Sequence, residues 1–139
     1  MSFKSIGLIL GFSLIMPVIC LADQECSSKT LQGRYVFAGR GFIEAADPTV
    51  QRVHYGLFIF DGVEKMSVKQ SSSRGGKIGH EKFDGTYTLS ADCSGTITFG
   101  SYVNPKGQTH WDVYVTKDGA KGQMIRTDEG NMAVRSFEK

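Results

Sequence analysis

Three features of the sequence predict an all-β domain, an eight-stranded antiparallel meander that closes into a barrel. Turn-forming clusters recur at a regular interval. The segments between them alternate apolar and polar residues with a period of two, and no stretch carries apolar residues at helical spacing. The clusters are Asp61-Gly62, Ser73-Arg74-Gly75-Gly76, Asp92-Cys93-Ser94-Gly95, Asn104-Pro105-Lys106-Gly107, Asp118-Gly119 and Glu129-Gly130-Asn131. Each supplies a residue that tolerates positive φ, or a side chain that bonds the local backbone, as a tight connection requires.

The chain opens on an expected export leader. Residues 1–4 carry one Lys, residues 6–21 form an uncharged apolar run, and Cys20-Leu21-Ala22 places small residues where a signal peptidase reads. Cleavage before Asp23 is expected, which makes 1–22 a signal peptide and 23–139 one domain. A spanning anchor would need about 20 apolar residues, and this run is broken by Gly7, Gly11 and Pro17. Lipidation at Cys20 is the competing reading, but Pro17-Val18-Ile19 fits a lipoprotein signal poorly.

The strands expected between the turns are 31–43, 50–60, 63–71, 82–91, 96–103, 109–117, 123–128 and 132–138. Alternation assigns Leu31, Tyr35, Phe37, Met66, Val68, Phe83, Tyr87, Leu89, Ile97, Phe99, Trp111, Val113 and Val115 to the interior. The second strand is ambiguous, because Val53, Tyr55, Leu57 and Ile59 on one face and Phe58 and Phe60 on the other are all apolar. An eight-stranded barrel is just wide enough for side chains to fill it, so a filled or nearly filled interior is expected.

Cys26 and Cys93 are the cysteines left after cleavage. In an oxidising compartment an even pair reads as one disulfide. Closing so long a loop constrains the unfolded chain by about 4 kcal/mol on the chain-entropy model. The bond would pin the N-terminal segment across one end of the barrel.

Charge excludes one class of partner. The chain holds 16 Lys and Arg against 14 Asp and Glu, and Lys4 leaves with the leader. A nucleic-acid surface advertises itself by a basic excess, so none is expected. The lone Arg74-Gly75-Gly76 is part of a hairpin. Arg40-Gly41-Phe42 begins like an RNA-recognition strand, but Ile43-Glu44-Ala45 does not continue that pattern. Once the leader is cleaved, no membrane insertion is expected.

Cys26, Leu31-Gln32-Gly33-Arg34-Tyr35-Val36-Phe37, Gly56-Leu57-Phe58-Ile59-Phe60-Asp61-Gly62, Gly85-Thr86-Tyr87-Thr88-Leu89 and Asp92-Cys93-Ser94-Gly95-Thr96-Ile97-Thr98 together resemble a group of small exported bacterial proteins. Their fold is similar to the allene oxide cyclase or calycin-type barrel. The resemblance spans most of 26–138. It implies a fold and not an activity, since the matching positions are turns, core and cysteines. Gly33-Arg34-Tyr35 also sits where lipocalins carry Gly-x-Trp, which implies that Arg135 stacks on Tyr35.

Tyr35, Tyr55, His110 and Trp111 are the candidate ligand-binding residues, with Arg40 and Glu44 beside them at a barrel mouth. His54, His80 and His110 lack ligand spacing, so each is expected on the surface or rim and no metal or other cofactor is implied. No G-x-S-x-G elbow supports a nucleophilic serine. The function expected is a non-catalytic, periplasmic or secreted binding protein for a small apolar ligand or a protein partner. The alternative is a cofactor-free cyclase or isomerase resembling allene oxide cyclase.

Overall fold

The computed structural model describes residues 25–42, 50–100 and 107–139. A single 3-10 turn, Ser28–Thr30, precedes eight strands: β1 (Gln32–Phe42), β2 (Gln51–Asp61), β3 (Lys65–Arg74), β4 (Lys77–Leu89), β5 (Ser94–Phe99), β6 (Thr109–Val115), β7 (Lys121–Arg126) and β8 (Met132–Glu138). The leader, Glu44 and the Asn104-Pro105-Lys106 turn lie outside the described residues. Each strand pairs antiparallel with the next, and residues 132–138 of β8 return to residues 36–42 of β1. The sheet is therefore a closed barrel with no free edge to template further pairing.

Register settles the ambiguous second strand. Opposite residues share a face, and Tyr35 stands opposite Phe58, so Phe58 and Phe60 go inward with Tyr35 while Val53, Tyr55 and Ile59 go outward. Every interior residue expected from alternation on the other strands is found there, either buried or packed against the core.

β3 and β4 are longer than the sequence suggested. They run on to Arg74 and from Lys77 through a two-residue turn at Gly75 and Gly76, with φ of 52° and 84°. Two successive positive φ values are the geometry in which a two-residue hairpin follows the twist of its strands. The inward residues of this extension are polar, among them Ser72 and Glu81, and so they broke the apolar alternation.

The end of the barrel at the start of β1 is solid. Phe60 meets Tyr35 and Tyr87 edge to face at 5.4 and 5.0 Å, and Phe137 packs on Tyr35 at 5.6 Å. Each such ring contributes roughly 1.5–3 kcal/mol on full burial. Their polar tips are satisfied: Tyr35 Oη donates to the Gly119 carbonyl at 2.8 Å, and Tyr87 Oη reaches the Ser28 and Leu31 carbonyls at 3.0 Å. Leu31, wholly buried, plugs this end. The Cys26–Cys93 disulfide, with Cα atoms 5.0 Å apart, fastens the plug to the β4–β5 turn. The Cys26 N–H donating to Ala91 O at 3.1 Å adds a second tie.

Candidate functional site

At the opposite end, where β1 finishes and β2 begins, the inward positions change character. Two steps of alternation beyond Phe58, past Gly56, comes His54, beyond Val68 come Gln70 and Ser72, before Phe83 in sequence comes Glu81, and beside Met124 and Phe137 come Arg126 and Arg135. Period two keeps them pointing into the barrel. They line a cavity of about 460 Å³ that opens at the mouth, so the barrel is filled in one half and open in the other.

Arg135 forms the base of this cavity. Its residue is 6% exposed, and its guanidinium carbon lies 4.5 Å from the ring centre of Trp111 and 5.2 Å from those of Phe37 and Phe99. Aromatic faces attract the cation, but they do not satisfy its hydrogen-bond donors. Nε and Nη1 are buried without a partner among the described residues. Burial, with the Arg52 and Arg126 charges behind it, draws the Arg135 pKa down to about 9.

His54 stands beside it, 2% exposed, with both ring nitrogens likewise unpartnered among the described residues. Burial first, then the Arg135 and Arg52 charges, lowers its pKa to about 3, which keeps the imidazole neutral. Gly39 makes room for both. It pairs with His54 on one side and Arg135 on the other, and a Cβ there would lie 2.3 Å from His54 Nε2 and 2.7 Å from Arg135 Cγ.

The other cations near the cavity are accounted for. Arg52 Nη2 donates to Glu81 Oε2 at 2.9 Å, and Gln70 Nε2 donates to the same oxygen. Arg126 Nε donates to Asp128 Oδ2 at 2.8 Å. Arg74 and Lys77 lie exposed at the rim. Arg135 is therefore the one buried cation of the cavity without a carboxylate at ion-pair distance among the described residues.

The four residues singled out from the sequence are not brought together. Trp111 lines the cavity, where its Nε1 donates to Thr109 Oγ1 at 3.2 Å. Tyr35 is in the solid end. Tyr55 is 65% exposed on the outer wall. His110 also faces out, with Nδ1 2.7 Å from Asp128 Oδ1. Arg40 is exposed. The rim expectation fails for His54, because its parity with Phe58 turns it inward. The stacking of Arg135 on Tyr35 is also overturned: Lys139 stands over Tyr35, and Arg135, four residues earlier on β8, lies over Trp111. His54 and Arg135 share parity with the buried Phe58 and Phe137 of their own strands, but the sequence leaves the facing of β2 open until its pairing with β1 decides it.

Among the described residues no three His, Cys, Asp or Glu side chains converge to hold a metal ion. Comparison with protein-family models, with curated proteins and with solved structures returns no match.

Proposed function

We propose that the chain is an exported, non-catalytic binding protein that holds a small molecule in the open end of its barrel. Export rests on the leader, and the calycin-like assignment rests on the sequence resemblance. The observation that carries the reading is the pair of buried, unpartnered side chains, Arg135 and His54, lining an open cavity of about 460 Å³. Buried polar groups are normally hydrogen-bonded, and a site that leaves these two side chains bare, with Arg52 Nε and Gln70 Oε1 also unpartnered among the described residues, in a cavity of ligand size is arranged for an incoming partner. The polar base of the cavity moves the expected ligand away from a purely apolar one. Nothing activates a nucleophile there, since the neutral His54 has no hydroxyl or carboxylate hydrogen-bonded to it among the described residues.

Native mass spectrometry of protein purified from its own host tests this. A bound small molecule, released on unfolding, is the expected result. Ligand-free protein that also binds none of a broad small-molecule panel would overturn it.

A second reading has its own observation. On the outer wall Tyr55, Ala38, Ser136, Gln123 and Tyr114 lie on one continuous rung across β2, β1, β8, β7 and β6. Val53, Val134 and Ile125 are exposed close by. Rigid aromatics are good anchors for a protein partner. Loss of a specific captured protein on Tyr55→Ser and Tyr114→Ser substitution would support that role, and unchanged capture would exclude this face.

A further inference from the structure

We infer that the ligand is a small organic monoanion, whose acidic group lies on Arg135 and His54 while its apolar body occupies the cavity above Trp111. The inference rests on the small-molecule reading of the cavity and goes on to name the chemistry it selects.

Charge balance is the first ground. A guanidinium keeps its proton at neutral pH, so Arg135, only 6% exposed, carries its charge into the base of the cavity. A buried charge is costly unless it is paired and hydrogen-bonded. Arg52 is neutralised by Glu81 and Arg126 by Asp128, while Arg74 and Lys77 reach solvent. Among the described residues one positive charge is left over, and one negative charge balances it.

Hydrogen bonding is the second ground. Arg135 presents free donors at Nε and Nη1, and neutral His54 adds one N–H, the tautomer being free to place it toward the ligand. Adjacent buried donors left without partners beside one cavity suit an acidic group with at least two oxygens. Charge-assisted bonds of this kind are about twice as strong as neutral ones.

The remaining walls define the rest of the molecule. Trp111, Phe99 and Phe83 supply flat apolar surface along the cavity. A bare inorganic anion would leave that surface and most of the 460 Å³ to water. An acidic group on a compact planar body covers both.

Isothermal titration of the processed, disulfide-bonded chain with 2-naphthoate, with its neutral isostere 2-naphthamide and with sulfate tests the inference. Naphthoate is expected to bind at least about tenfold more tightly than either, the difference that hydrogen bonds to a charged group supply. Arg135→Met should abolish that preference, so that naphthoate binds no more tightly than naphthamide. Thermal melting of the unaltered protein with each compound needs no variant: naphthoate alone should raise the midpoint.

Equal binding of naphthoate and naphthamide would overturn the anion assignment and leave the small-molecule reading standing. Sulfate binding as tightly as naphthoate would overturn the organic body. Failure of all three to bind or to shift the midpoint at millimolar concentration would remove the inference, and ligand-free native protein that also binds none of a broad small-molecule panel would remove the reading beneath it. Retained naphthoate preference in a folded Arg135→Met variant would place the anion elsewhere.

Discussion

The two ends of the barrel are built from the same strands and solve opposite problems. At the plugged end Tyr35, Phe60, Tyr87 and Phe137 fill the interior, and both buried hydroxyls find carbonyls. At the open end His54 and Arg135 are equally buried, yet both His54 nitrogens and Arg135 Nε and Nη1 find no hydrogen-bond partner among the described residues. One end is complete in itself, and the other is complete only with a partner. Natural sequences break the rules of polar satisfaction mainly at functional sites, at a cost in stability. The contrast therefore points to the mouth as the working part and to the disulfide-fastened plug as the frame that holds it.

The comparison breaks first at the plug. Cys93→Ser removes the tie between the N-terminal segment and the β4–β5 turn, and the loss expected is about 4 kcal/mol. Denaturant titration under non-reducing conditions measures it. An unchanged midpoint would show that the plug holds without its clip.

The next effect belongs to the mouth and depends on pH. His54 has a pKa near 3 when folded, against an ordinary value of 6.5. On acidification the unfolded chain takes up this proton first. The contribution is whole above pH 6.5 and is lost as pH falls toward 3, amounting to a few kcal/mol in order of magnitude. Stability measured from pH 7 to pH 4 should fall. His54→Leu should flatten that part of the profile, and a slope that persists in the variant would assign it to other groups. Bound anion should oppose the fall, because a negative charge beside His54 favours its protonation.

The smallest effect is expected on the outer wall. Tyr55→Ser removes an exposed ring from a position that supports neither end. Its effect on stability should stay within about 0.5 kcal/mol. A loss above 2 kcal/mol would mean that this wall contributes to the frame.

The meander, its eight strands in order and the Cys26–Cys93 bridge were all legible, because each rests on a strong local signal: turn residues, period-two alternation and an even cysteine count. The plug was legible for the same reason, since its inward residues are apolar. The mouth was not. Gln70, Ser72, Glu81 and Arg135 occupy inward positions with polar side chains, so the alternation that identifies a core falls silent where the core becomes a site. Aromatic content was a poor guide to the ligand residues. His110 and Trp111 are neighbours in one strand and cannot both point inward, and Tyr55 belongs to a row whose direction only the pairing with β1 decides.

The thermal midpoint of ligand-free Arg135→Met against that of the unaltered protein tests the central claim most directly. Methionine keeps much of the length and the aromatic contact while removing an uncompensated buried charge. Replacing even a paired buried charge by apolar residues is often neutral or stabilising, and an unpaired one costs more to bury. A raised midpoint with lost naphthoate binding is the predicted result. A lowered midpoint would show that Arg135 is held for the stability of the barrel, and would contradict the account of an open end prepared for an anion.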